Sequence, residues 1–278
     1  MLKYFSMIFC NLASGSKGNC SYIESNGTSI FVDVGISCRA VESAAQDIGI
    51  DLNRVSAIII THEHIDHVRG IQVLSEKYNI PVYIHPKSYL MYVHKKIGQV
   101  KNLKLFTFDK EFNIENLSIK PFRLSHDAAY TQGFSVSDGE KRVVFATDLG
   151  YVTDNVFKTM GEADYVYIES NHDLDMLING EYPPYLISRI KGKNGHLSNI
   201  DSAETISKLF LEYNVHRFML AHLSEKNNTE EKALETLYET LNKYGIDKNK
   251  LEIDIATQNK ISRVIEVWKD KRYLEQID

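Results

Sequence analysis

Short runs of β-branched and aromatic residues alternate along the chain with stretches whose apolar residues recur at helical spacing. The runs predict strands at Ser29–Val34, Val55–Thr61, Pro81–His85, Leu117–Leu124, Arg142–Thr147, Asp164–Ser170, Val215–Ala221, Leu251–Ala256 and Arg263–Trp268, with a first strand ahead of the Leu12 loop. Helical spacing begins near Cys38, where Val41, Ala44, Ala45 and Ile48 share one face. A second helix is predicted over Asp201–Tyr213, with Asp201 and Glu204 as a capping pair and Ile206, Leu209, Phe210 and Tyr213 as its stripe. A third runs over Glu231–Tyr244 and ends at Gly245. This alternation belongs to layered α/β folds. Segment 173–195 breaks it with Gly180, Pro183, Pro184 and a basic run, and reads as an insertion over one face of a single domain spanning 1–278. No short-period repeat or low-complexity tract interrupts the pattern.

Composition narrows the picture. A chain of 278 residues that is 43% hydrophobic can bury a large core without disulfide support. The formal charge of -5 argues against an electrostatic nucleic-acid coat. It does not exclude a nuclease, because site-bound metal ions add positive charge that the residue count omits. Cys10, Cys20 and Cys38 are odd in number and form no CxxC pair, which fits reduced, buried thiols in the cytosol. The opening MLKYFSMIFCNLASGSKGN lacks the basic start and long apolar run of a signal peptide, and no segment reaches bilayer-spanning length. A cytoplasmic protein with no membrane partner is expected.

Chemistry enters at the strand ends. Thr61, His126, Asp148, Asn171 and His222 each lie at, or just past, the end of a predicted strand, where layered α/β proteins gather ligands. Thr61–His67 reads THEHIDH directly after an apolar strand. Histidine is the commonest neutral metal ligand, and aspartate balances a divalent cation's charge. Alternate residues of a turn point in different directions, so one such motif can serve two ions. Zinc, iron(II) and manganese suit the mixture of imidazole and carboxylate. The bland alternative is a solvated, His-rich loop. Of the spare histidines, His85 reads as a structural hydrogen-bonding group, and His94 and His216 as surface or edge residues. His172, in ESNHD beside Asn171, stays open between facing the site and supporting it.

Three further features suggest anionic substrates. Leu12–Cys20, LASGSKGNC, lets backbone N–H groups approach an anion, with Ser14, Ser16 and Asn19 adding donors; an ordinary Ser/Gly turn is the alternative. Asn194–Asn199, NGHLSN, places His196 and Ser198 just before a helix, where His196 can meet a phosphate oxygen or protonate a leaving alkoxide. Arg189, Lys191 and Lys193 form a local basic strip that is otherwise read as a solvated face.

The HxHxDH motif resembles that of the metallo-β-lactamase superfamily, and FVDVG, FRLSHDA, VVFATDLG and FMLAHLS continue the likeness in order. The resemblance implies a four-layer αββα sandwich. His62, His64 and His126 would hold one ion and Asp66, His67 and His222 another, with Asp148 between them and Asp33 bracing the loop. LASGSKGNC, THEHIDH, FATDLG, ESNHD, GHLSN and AHLSEKNN resemble segments of the YycJ (WalJ) family, regarded as 5′→3′ exonucleases on double-stranded DNA linked to mismatch repair. That second resemblance implies a hydrolase with two divalent ions (zinc, manganese or iron), DNA as substrate with RNA as the variant, and Asp66, Asp148 and His196 as catalytic residues. Ser14, Ser16, Asn19, Asn171, His196 and Ser198 would contact substrate. The chain lacks the long extra domain that RNA-processing relatives insert before the Gly-His motif. A two-metal centre makes a bridging hydroxide at neutral pH, so a thioester or lactone hydrolase of the glyoxalase II type is the competing reading. It would not need GHLSN or the basic strip. A non-catalytic regulator would have lost metal ligands, and none is lost.

Overall fold

The computed structural model describes residues 7–90, 94–106 and 110–268. Its strands pair into two seven-stranded sheets. The first has the order β14 (Ile265–Val267), β1 (Met7–Ala13), β2 (Cys20–Ser25), β3 (Thr28–Val32), β4 (Ala57–Ile59), β5 (Val82–Ile84) and β6 (Leu103–Leu105). The second runs β13 (Glu252–Ile255), β12 (Arg217–Ala221), β11 (Tyr165–Glu169), β10 (Arg142–Ala146), β9 (Gln132–Ser137), β8 (Leu117–Arg123) and β7 (Phe112–Ile114). In each sheet an antiparallel part adjoins a parallel one: β3 through β6 are parallel, as are β10 through β13.

The apolar runs are continuous because both faces of these strands are covered. In β3, Ile30 and Val32 point between the sheets while Phe31 points outward; in β10, Val143 and Phe145 point inward and Val144 and Ala146 outward. The inter-sheet core centres on Phe9, whose ring meets Phe145 edge-on at 5.5 Å. Outside the first sheet lie the helices Cys38–Ile48 and Ile71–Tyr78, docked through Val41, Ala44, Ala45, Ile71 and Leu74. Outside the second lie Asp154–Gly161, Asn199–Tyr213 and Glu230–Lys243. The result is the expected αββα sandwich.

Several elements differ from the sequence-based expectation. The helix expected at Asp201 starts at Asn199, and Ser198 is its cap: Ser198 Oγ accepts from Asp201 N at 3.1 Å and donates to Asp201 Oδ2 at 2.6 Å. Glu204 takes no part and pairs with Lys208 one turn on. The third helix is capped by Thr229. Strands β2, β6, β7 and β9 have no counterpart among the predicted runs, since they are short or, like QGFSVS, rich in serine and glycine. Segment 173–195 carries two short helices, Leu174–Asn179 and Pro184–Ile190. All three cysteines are buried and free. Among the described residues no helix is long and apolar enough to cross a membrane.

Candidate metal centre

The carboxyl ends of the parallel strands converge at one edge of the sandwich. The loop after β4 supplies His62, His64, Asp66 and His67; His126, Asp148 and His222 follow β8, β10 and β12. Asp33, just past β3, fixes this loop. Its Oδ1 accepts from Thr61 N at 2.9 Å, and its Oδ2 accepts from Thr61 Oγ1 and from His67 Nδ1, each at 2.8 Å. Gly35 lies so close that a Cβ there would sit 1.5 Å from the Asp66 carbonyl oxygen. Only glycine allows that contact. Asp33, Asp148 and His222 all have positive φ, at 60°, 62° and 54°. Such backbone is uncommon for non-glycine residues and persists where surrounding contacts hold it.

Among the described residues four overlapping groups could hold a metal ion: His62, His64 and His126; Asp66, His67 and His222; His62, His67 and Asp148; and Asp148, Glu169, His196 and His222. Donor atoms of His62, His64 and His126 lie within 4.8 Å of one another, as do those of Asp66, His67 and His222. Asp148 sits between them, with Oδ2 3.3 Å from His67 Nε2 and Oδ1 3.7 Å from His126 Nε2. His62 Nε2, His222 Nε2 and Asp148 Oδ2 are buried with no hydrogen-bond partner. Buried polar atoms without partners are rare, and these three face ground where a cation would satisfy them. The residues present therefore fit divalent metal ions. Burial pushes His62 well down and His126 down, towards the neutral imidazole that ligates metals. Burial alone would raise Asp148, but His222 and His67 hold it well below the usual carboxylate range.

Glu169, the last residue of β11, is absent from the residues that the sequence singles out. It is fully buried, and both its oxygens are used. Oε1 accepts from His196 Nδ1 at 2.9 Å and from His222 Nδ1 at 2.7 Å; Oε2 accepts from the backbone N–H groups of Leu149 and Leu197. Against the cost of burial, the His196 charge and these bonds bring its carboxyl down to about 2. The hints in sequence are an acid closing the apolar run YVYIE and its place at the head of the ESNHD segment. His196 thus turns its Nδ1 to Glu169, and no described residue bonds its Nε2.

A cleft of about 240 Å³ opens over the metal groups, lined among others by Ser16, Asn171, His196, Tyr182 and Arg189. Three of the six candidate substrate residues, Ser16, Asn171 and His196, therefore line it. The other three serve the frame. Ser14 is buried, and its hydroxyl accepts from His222 N and Tyr167 OH, each at 2.8 Å. Asn19 is buried against Asp66 Oδ2 at 3.2 Å and His67 Nε2 at 3.0 Å. Ser198 is the buried helix cap. Arg189 pairs with Asp127 at the cleft wall, whereas Lys191 and Lys193 are exposed outside its lining. His172 is buried behind the site, its imidazole pushed down to about 4 by burial, and does not line the cleft. His85 accepts from Lys87 N and stacks on Tyr130; His216 bonds Lys250 O and Asn214 Oδ1; His94 is exposed.

Residues 28–223 match the family described as the Beta-lactamase superfamily domain. In fold and in ligand set the chain belongs to this superfamily of metal-dependent hydrolases. Exodeoxyribonuclease YycJ of Bacillus anthracis is 34% identical over 241 residues, covering 85% of this chain and 90% of the relative. Exodeoxyribonuclease WalJ of Streptococcus pneumoniae (strain D39) is 36% identical over 233 residues, covering 83% and 86%. Within the superfamily the chain falls in the family of these two proteins. Among solved structures, the metallo-β-lactamase fold protein YhfI of Bacillus subtilis aligns over 92% of this chain and 98% of its own, with a TM-score of 0.68 at 16% identity. That likeness speaks for the fold alone.

Proposed function

We propose that this chain is a metal-dependent phosphodiesterase, a 5′→3′ exonuclease on double-stranded DNA that serves mismatch repair in the cytoplasm. The observation that carries the reading is the Glu169–His196 pair at the cleft wall, which sets a proton-handling group beside the His and Asp ligand groups. The names of the two relatives, which match over most of their length, support the same substrate class. The chain is read as one domain, with segment 173–195 inserted as a wall of the cleft.

His62, His64 and His126 would hold one ion and Asp66, His67 and His222 a second, with Asp148 between; zinc, manganese and iron(II) all suit these donors. Bound there, divalent ions offset phosphate charge and lower the pKa of water to near neutrality. Asp66 lines the cleft, and His67 and His222 keep it ionised against its burial, so it accepts a hydrogen bond from the attacking water. Asn171 donates to the His222 carbonyl and fixes that loop. On the leaving-group side, His196 gives a proton from Nε2 to the departing alkoxide. Glu169, hydrogen-bonded at Nδ1, orients the ring so that Nε2 faces the cleft.

The purified protein, with manganese or zinc, is incubated with single- and double-stranded DNA and RNA labelled at either end. The expected result is stepwise release of nucleotides from the 5′ end of duplex DNA. Hydrolysis of thioesters or lactones with no cut in any nucleic acid would overturn the reading.

A further inference from the structure

A second depression adjoins the metal cleft on the far side of His126. Its lining includes Arg123, Ser125, His126, Tyr151, Asn155 and Asn194. A third continues from it, sharing Arg123 and Asn155 and adding Lys120. Shared lining residues join the three into one groove that leaves the metal centre along β8. Strand geometry sets the scale: at about 3.3 Å per residue, Arg123 lies within about 10 Å and Lys120 within about 20 Å of His126 along the chain.

The chemistry of this groove differs from that of the molecule at large. The chain carries a net charge of -5, yet Lys120 and Arg123 are exposed here, and among the described residues neither forms an ion pair. The Arg123 guanidinium lies over the Tyr130 ring at 4.1 Å, and that ring also stacks on His85 at 3.6 Å. The guanidinium is thus placed without a carboxylate to neutralise it. Asn194 also lines the groove, next to the exposed Lys193, whose carbonyl accepts from Ser125 Oγ at 2.6 Å. Tyr151 is 46% exposed and supplies an aromatic face. Glu111, which accepts from Ser118, is the one acid in the lining of these two depressions, and it sits in the third, remote from His126.

We propose that the DNA strand retained after each cut lies in this groove, with its phosphates on Arg123 and Lys120 and a base against Tyr151. The proposal rests on the nuclease reading above. It assigns the metal cleft to the scissile phosphate and the β8 groove to the two or three nucleotides beyond. Cations that neutralise phosphates release condensed counterions, and stacking on an exposed tyrosine is tolerant of sequence.

The test is kcat/KM on a 5′-labelled duplex across a salt series, for wild type, Lys120→Ala/Arg123→Ala and Arg123→Lys, with melting temperatures measured alongside. Loss of two phosphate contacts should make the slope of log(kcat/KM) against log[salt] shallower by about 1.4, the single-strand value for two contacts. The effect should fall on KM with kcat at saturation kept, and Arg123→Lys should keep the wild-type slope. A double variant that is folded and has the wild-type slope would overturn the groove assignment alone. A wild-type protein that cuts no DNA would overturn the nuclease reading, and the groove with it.

Discussion

Glu169 Oε1 stands 2.7 Å from His222 Nδ1, and the same oxygen accepts from His196 Nδ1. One buried carboxylate therefore sets the tautomer of a proposed metal ligand and of the cleft histidine together. It turns the Nε2 lone pair of His222 to the second metal group and the Nε2 of His196 away from Glu169.

Glu169→Gln keeps the volume but replaces the charged acceptor with an amide. Outer contacts of this kind are worth about 10–100-fold in metal affinity or activity. We expect kcat to fall by that range, and the second ion to be lost at lower chelator concentration than in wild type. Titration with a chelator, read by elemental analysis, checks it; unchanged retention would show that His222 needs no such support.

His196→Ala should leave metal content and melting temperature near wild type, because Ser198 caps the following helix. Nuclease kcat should drop roughly 10²–10⁴-fold, the usual worth of a general acid. Near-normal kcat with full metal occupancy would remove His196 from the reaction; loss of metal would make it a ligand.

Ser198→Ala separates the two roles from the other direction. Loss of a capping hydroxyl costs about 1 kcal/mol, or a melting temperature lower by roughly 2–4 °C in a chain of this size. Activity per folded molecule should persist. A collapse of kcat at unchanged stability would instead place the Ser198 hydroxyl on substrate.

Asp148→Asn removes the negative charge between the two ligand groups at similar volume. Wild type should carry two metals per chain, and the variant should lose at least one, with hydrolysis nearly abolished. Elemental analysis of protein purified without chelators gives both values. A wild-type maximum of one metal would refute the two-ion arrangement.

The residues proposed as metal ligands stand out in sequence because each lies in a local motif at a strand end, and a loop of THEHIDH needs no tertiary knowledge to be noticed. The αββα layering is legible for the same reason, through continuous apolar runs. Glu169 is not, since its histidine partners lie 27 and 53 residues away and the ESNHD segment draws the eye to Asn171 and His172 instead. Ser14 and Ser198 look like phosphate donors because a small polar residue in a turn reads alike whether its hydroxyl faces solvent or folds inward. Only the three-dimensional contacts to His222 N and Asp201 decide between the two. Strand β9 is hidden because QGFSVS packs serines and a glycine between neighbours rather than presenting an apolar run.

The origins of the two ligand groups have a mechanical side. His62 and His64 come from the first sheet and His126 from the second; Asp66 and His67 come from the first and His222 from the second. Each group straddles the seam of the sandwich. Any ion held there is a rivet between the two halves of the protein, so the seam is clamped from within where it is open to substrate. Away from that edge the core around Phe9 joins the halves through apolar side chains, which grip by contact area and not by bond direction. An ion shared by the two sheets would thus fix their alignment at the very edge where the chemistry is done.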